Sequence, residues 1–470
     1  MVDNESFSEE VMSRLPLAQA TLEVLAHAHS KPELDDLFNR QAGASYERFI
    51  TFADLLGLLG DALLQRGGNL AATIDLADEQ GRLAASRTAY YGKLRRIPLA
   101  LSVGYLRHAS TRLVGVAPVA DRGGVPNCLQ HFEVRIMDGK KLKNVPKTLL
   151  SSRGAAGKLF GGKLLVSWNP QTGLVDGMAA DPDGEANECK LVPPLLAQYP
   201  DATPEQPWLW VADRQFGDLK QPAAVLAKGH HFLFRRNGKT HFHADPTAPV
   251  PAKAEKVDRQ VIEQHGTLGS GKNPLKVRQL TLHRAGAEDV VVVTSLLDSK
   301  AYPAADLLEL YRKRWKIEGV FQEITEIFGL ARFVGSSPQA TVFQAAICLM
   351  LYNAAGVVQR VLAAATRRKE VETSARKLFA STREELVSAF KLVPLAELDR
   401  LQLRHVDAAG LRERLIELLS KAWRPRYQKA AAENNPRPRK VKKKASGAHT
   451  SVHRLQQKHR QEQAEACEIS

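Results

Sequence analysis

Apolar residues recur every three to four positions over 49–65, which puts them on one side of a helix, and Gly67-Gly68 ends the run with a stop signal. The first third of the chain reads as helical in this way. Within it, 86–96 opens on Ser86, a good N-cap residue, and carries Arg87, Tyr90, Tyr91, Lys93, Arg95 and Arg96. A short basic, aromatic helix suits a DNA groove, and it equally suits the solvated face of a small bundle. The pattern changes at the Gly- and Pro-bearing link 121–126. Residues 132–137 then alternate apolar and polar and run into Asp138-Gly139, which predicts a strand ending at a carboxylate.

Two further strands are predicted over 163–168 and 174–180, joined as a hairpin by the turn formers Asn169-Pro170-Gln171-Thr172-Gly173. A helical stretch at 187–198 leads to Trp208-Leu209-Trp210-Val211-Ala212, a buried parallel strand with Asp213 at its C-terminal end. A helix at 222–228 and a strand at 231–235 follow. That order describes an α/β fold, a mixed sheet with helices packed on it. From 236 to 290 His, Lys, Pro and Gly are frequent and alternating runs such as 277–282 are short, so the segment reads as a β-rich insertion. Lys253, Lys256, Lys272 and Lys276 are its candidate DNA contacts. A β-prone run over 290–296 precedes a long helix expected from Pro303 to Gly329.

Residues 340–358 are long and apolar enough to raise the question of membrane insertion. Gln344 and Asn353 interrupt them and no basic flank precedes them, so a buried helix and no membrane association is the expectation. Helical segments continue to 423. The remainder, 424–470, contains Arg437-Pro438-Arg439-Lys440-Val441-Lys442-Lys443-Lys444 and reads as a basic, disordered tail able to grip DNA without sequence preference.

Composition narrows the partners. The chain has 470 residues, 44% of them hydrophobic, and a formal charge of +15. It can bury sizeable cores, and its charge points toward a polyanion. Cys128, Cys189, Cys348 and Cys467 are widely spaced, which argues against a disulfide framework or a zinc site and for a reducing, cytoplasmic compartment. The N-terminus shows no apolar signal-peptide core. His230-His231 and His241-Phe242-His243 lack the further ligands that would complete a tetrahedral zinc set.

Candidate chemistry lies in Tyr311-Arg312-Lys313-Arg314-Trp315-Lys316-Ile317-Glu318. At ~100° per residue, Tyr311, Arg314 and Glu318 fall within an arc of roughly 60° on an ideal helix. Asp138 and Asp213 each close a predicted strand of one sheet, and the Glu318 helix can pack beside them. Three acids distant in sequence would then meet as phosphodiester cleavage by two divalent ions requires. Each strand-end Asp alone is more simply a turn former. Asp218 reads as a cap, Glu323 points about 140° away from Glu318, and Glu326 is the reserve carboxylate.

With these motifs the chain resembles the DDE insertion-sequence transposases, and within them the insertion sequence four group with its Tyr, Arg, Glu, Lys signature. The resemblance spans about 132–329. It implies a ribonuclease H-like fold with a β-rich insertion before the Glu-bearing helix. It also implies Asp138, Asp213 and Glu318 as catalytic ligands of two Mg2+ or Mn2+ ions, and Tyr311 and Arg314 as DNA-phosphate contacts. The implied partners are double-stranded DNA, both terminal inverted repeats and target, and a second copy of the chain on that DNA, near the bacterial nucleoid. The implied units are a helical DNA-binding region at 1–125, catalytic parts at 126–235 and 291–360 flanking the insertion 236–290, a helical region at 361–423 and the tail. One position departs: the signature Lys is Thr325 here, with Lys316 and Arg332 as candidate substitutes. Thr325 favours a rival reading, a domesticated or inactive relative that binds DNA without cutting.

Overall fold

A computed structural model of the chain describes residues 4–45, 47–65, 68–117, 125–247, 254–256, 259–270, 273–284, 288–369, 372–402, 407–429 and 449–469. Seven helices come first: α1 Asn4–Ser13, α2 Pro16–Ala28, α3 Lys31–Gln41, α4 Phe52–Gln65, α5 Leu70–Glu79, α6 Arg87–Arg96 and α7 Leu99–Val114. Local sequence sets several of their starts. Proline occupies the first turn of α2 and α3, where its missing N–H has no helical partner to lose. The Asn69 and Ser86 side chains accept from the Ala72 and Ala89 N–H groups at the starts of α5 and α6.

The strands β1 Glu133–Lys143, β2 Leu159–Trp168 and β3 Val175–Asp181 follow. Next come α8 Val192–Leu196, β4 Trp208–Ala212, α9 Lys220–Leu226 and β5 His231–Arg235. The predicted insertion holds β6 Phe242–Ala244, β7 Ala254–Lys256, β8 Arg259–Leu268 and β9 Leu275–Leu282, before β10 Val290–Thr294. Helices α10 Ala304–Lys313, α11 Trp315–Glu326, α12 Pro338–Ala365, α13 Ala375–Leu392, α14 Leu395–Gln402 and α15 Ala408–Leu419 precede β11 Thr450–Ser451 and α16 Val452–Ile469.

All described strands join one mixed sheet in the order β11-β2-β1-β4-β5-β10-β9-β8-β6, with β3 also on β2 and β7 on β8. Strand β1 is antiparallel to β2 and parallel to β4, which is parallel to β5. Alternation sorts the strand residues between two cores. Val134, Ile136, Leu209 and Val211 enter the large apolar cluster shared with the N-terminal helices and α12. Met137, Trp210 and Ala212 enter a smaller one beneath α8 and α9.

Helix α12 is the one described helix long and apolar enough to span a membrane, and 89% of its most apolar window is buried within the protein. Gln344 and Asn353 within it are both partnered. Gln344 accepts from Val334 N at 2.8 Å and donates to Arg332 O at 2.9 Å. Asn353 accepts from Val175 N at 2.8 Å, and donates to Val175 O at 2.8 Å and to Ser110 Oγ at 3.0 Å. Asn353 thereby completes the ladder of β3 from a helix side chain.

Three expectations need correction. Strand β1 does not end at Asp138: it pairs with β2 as far as Lys143, opposite Phe160. The helix from Pro303 is two helices, broken at Arg314, where Arg314 N bonds Tyr311 O and Ile317 N bonds Arg314 O in the tighter three-residue pattern. The segment 236–290 holds β6 to β9 and continues the central sheet, because 278–282 of β9 pair with the whole of β10. The chain after 448 is not a solvated tail: β11 pairs with the start of β2, and Arg454 of α16 pairs with Asp183 at 2.9 Å and Glu185 at 3.0 Å. The run 437–444, Lys253 and Lys272 lie outside the described residues.

Replacing Asn353 with Leu leaves the Val175 N–H without a partner in the interior, while the Val175 C=O keeps only the Ser110 hydroxyl at 2.7 Å. The expected cost is about 2 kcal/mol, read as a lower urea midpoint with an unchanged slope. An unaltered midpoint would show that this side chain carries no strand-pairing role.

Candidate carboxylate site

The β1–β4 register puts Ile136 opposite Val211. Two residues further along each chain stand Asp138 and Asp213, on the same sheet face as that pair. Asp213 still has extended backbone, φ −81° and ψ −175°, as it leaves β4. Neighbouring strands lie about 4.8 Å apart, so register alone sets two carboxylates side by side. Asp213 also accepts from Gln215 N at 2.8 Å, which starts the turn Arg214–Phe216 and holds its side chain in place. Asp138 Oδ1 accepts from Gly139 N at 2.8 Å.

Gly139 has a packing reason. Its open side faces Glu188, and a Cβ there would collide with the Glu188 carboxylate, which pairs with Lys163 at 3.5 Å. A side chain at 139 would therefore push the Glu188 carboxylate away from Lys163.

Helices α10 and α11 cover the Asp138 face. A buried ion pair helps to place them: Arg278 of β9 pairs with Glu263 of β8 and donates to Tyr302 O at 2.6 Å, just before Pro303 starts α10. Leu307, Leu310, Ile317, Val320 and Ile324 then face the core, and this turns Arg314 and Glu318 toward the strands. Arg314 Nη1 donates to Asp138 Oδ2 at 3.3 Å and Nη2 donates to Glu318 Oε1 at 3.3 Å. The Arg314 side chain is 8% exposed, against 15% for Asp138 and 44% for Glu318. The Tyr311 ring lies 6.0 Å from the guanidinium carbon and is itself buried.

Burial raises the Asp138 carboxyl from an ordinary 3.8 to about 6; Arg314 opposes that rise, while the charges of Asp213 and then Glu318 add to it. Three acids thus act on one another around one guanidinium. A set of hard carboxylate oxygens is the donor chemistry that Mg2+ or Mn2+ takes. Among the described residues no three such groups already stand within reach of a single ion. Arg314 bridges Asp138 and Glu318, so closing the set requires the guanidinium to give way. Its Nε is buried without a hydrogen-bond partner, which leaves one donor unspent.

The other sequence candidates fall elsewhere. Thr325 Oγ1 is committed to Phe321 O within α11, at 2.6 Å. Arg87 pairs with Asp75 at 3.0 Å on α6, Lys93 covers the Phe38 ring, and Arg95 and Arg96 are exposed. With Arg48, Lys93 and Arg96 line an open cleft of about 610 Å³ among the N-terminal helices. Trp315 is 64% exposed, with its ring 5.7 Å from the Arg314 guanidinium carbon. Asp218 accepts from Gln221 N as a cap. Glu326 bonds Gln322, and burial pushes Glu323 up to about 7. His230 is structural: Trp210 Nε1 donates to its Nδ1 at 2.9 Å, leaving Nε2 to donate to Pro200 O at 2.9 Å.

Sequence reasoning missed Lys140. It shares the Asp138 face of β1 and donates to Phe321 O of α11 at 3.2 Å. Period-two alternation carried past Asp138 would have found it.

Residues 130–354, slightly less than half of the chain, match the family model described as Transposase DDE domain. All three acids, the sheet extension and Asn353 fall inside the match. The chain is also similar to a protein of Sinorhizobium fredii named "Putative transposase y4zB", 27% identical over 93 residues, which are 20% of this chain and 25% of that protein. The chain therefore spans about a quarter of the length of the curated relative it matches.

Asp138→Asn removes a half-buried charge that its surroundings disfavour. Without metal and near neutral pH, this variant should gain roughly 1–2 kcal/mol of stability and lose any rise in melting temperature that Mn2+ gives the parent. A variant that melts below the parent in EDTA contradicts this electrostatic picture.

Proposed function

We propose that this protein is a DNA transposase of the DDE type, in the insertion sequence four group. It would bind the terminal inverted repeats of an insertion sequence, cleave phosphodiester bonds there and transfer the 3′ ends to target DNA. The observation that carries this reading is the register-matched pair Asp138 and Asp213, with Arg314 and Glu318 set against it from α11, inside the stretch 130–354. The order β3-β2-β1-β4-β5, with two antiparallel and then two parallel pairings, supports a ribonuclease H-like core.

Asp138, Asp213 and Glu318 would hold two divalent cations, Mg2+ or Mn2+. When bound, these would supply Lewis-acid stabilisation of the phosphorane oxygens and a more acidic attacking water or 3′-hydroxyl. This chain's own residues do the rest. Arg314, displaced from between the acids, turns its planar fork to a DNA phosphate, a geometry that Lys cannot imitate. Tyr311 backs the guanidinium and limits where it can go. Arg95 and Arg96 on α6 offer sequence-independent phosphate contacts, consistent with a net charge of +15. A dimer on paired DNA ends and a cytoplasmic, nucleoid location follow from the same reading.

The rival, a relative that binds DNA and no longer cuts, is favoured by Thr325 alone. One assay separates the two. The duplex flanking the coding region is incubated with purified protein and Mg2+ or Mn2+, and strand breaks and gel-shift binding are measured together. Asp138→Ala, Asp213→Ala and Glu318→Ala should each lower cleavage by roughly a thousand-fold or more while binding stays close to that of the parent. Cleavage by all three variants at the parent rate contradicts the site. A parent that binds and never cuts establishes the rival.

A further inference from the structure

The carboxylate site contains a cation that the signature does not include. Lys140 follows Asp138 by two residues on β1, so both side chains leave the same face of the sheet. Its Nζ donates to the carbonyl oxygen of Phe321 at 3.2 Å and sits 5.2 Å from the centre of the Phe321 ring. The Thr325 hydroxyl donates to the same carbonyl at 2.6 Å. A lysine rooted in the strand therefore ends beside the place on α11 where residue 325 begins. Among the described residues its partners are that carbonyl and that ring face, and no carboxylate pairs with it. A carbonyl and a ring face hold an ammonium less strongly than an anion does. A half-buried lysine with only those partners, beside three acids meant for cations, is poised for an incoming phosphate.

We propose that Lys140 is a DNA-phosphate-binding residue of this site, supplying from β1 the positive charge that position 325 of α11 lacks. The ligand is a backbone phosphodiester next to the one being cut. The proposal rests on the transposase reading. It also makes the loss of Lys at 325 a relocation of charge, not a decay of the site. Neither Lys316, which is exposed on α11, nor Arg332, which follows that helix, shares a face with Asp138 in the way Lys140 does.

The full-length protein is titrated with a fluorescent duplex of the DNA flanking the coding region, in Ca2+ and across a salt series, and cleavage of the same duplex is followed in Mn2+. Lys140→Met should weaken binding about ten-fold, the worth of one charged hydrogen bond, and make the salt slope shallower by about 0.9. The loss should appear in KM more than in kcat. Lys140→Arg should stay near the parent, and the double variant Lys140→Met with Thr325→Lys should regain affinity and slope. A lysine that merely pins α11 to β1 would lower the melting temperature without moving the salt slope, and Thr325→Lys would not rescue it. Thr325→Glu keeps Lys140 in place and neutralises it, so it reads the same charge if Lys140→Met folds poorly; it too should make the slope shallower. An unchanged slope in Thr325→Glu, or a folded double variant without recovery, overturns the assignment of Lys140 alone. A parent protein that neither binds nor cuts the duplex overturns the transposase reading and Lys140 with it.

Discussion

Two carboxylates on adjacent parallel strands, in a half-buried setting, repel each other unless a positive charge joins them. That constraint organises this protein. Asp138 and Asp213 are neighbours because each stands two residues beyond Ile136 and Val211, the pair that ends the β1–β4 ladder. Burial first, and then the charge of Asp213, push the Asp138 carboxyl up to about 6. Arg314 opposes that rise and, in reaching Glu318 as well, draws the third acid toward the pair. The guanidinium is the countercharge that Asp138 and Glu318 share.

The surrounding architecture keeps this balance fixed. Arg278, fully buried and paired with Glu263, ties the sheet extension to the turn before α10. The segment between β5 and β10 thus helps to aim the helices that carry Arg314 and Glu318. Gly139 lets the strand run close under Glu188 on the opposite face. Asn353 fastens α12 to the edge of β3 inside the largest core. Each device spends a polar or small residue where an apolar one would pack more simply, and each lies within the stretch that resembles a transposase DDE domain.

Much of this was legible in the sequence because it depends on local pattern. The strand from Trp208 to Ala212, the capping Ser86, the Asn169–Gly173 hairpin turn and the burial of α12 all follow from periodicity and turn chemistry. The failures share one cause, that tertiary partners decided the outcome. Lys140, Lys141 and Lys143 look like the end of a strand, yet β2 continues to pair with them. No Pro or Gly marks the helix break at Arg314; there the break coincides with a side chain bonded to two acids. Trp315 has the size of a core residue, but the break turns it to solvent. The order of residues 449–469 depends on Asp183 and Glu185, far away in sequence.

We propose that Asp138, Asp213 and Glu318 together form one divalent-cation site, from which metal would displace Arg314. The most direct measurement is anomalous diffraction from crystals of the protein grown with Mn2+. Peaks bound by oxygens of all three carboxylates, with the Arg314 guanidinium moved off Asp138, are the expected result. Peaks confined to other residues, or a map with Arg314 still bridging Asp138 and Glu318 at saturating Mn2+, would contradict it.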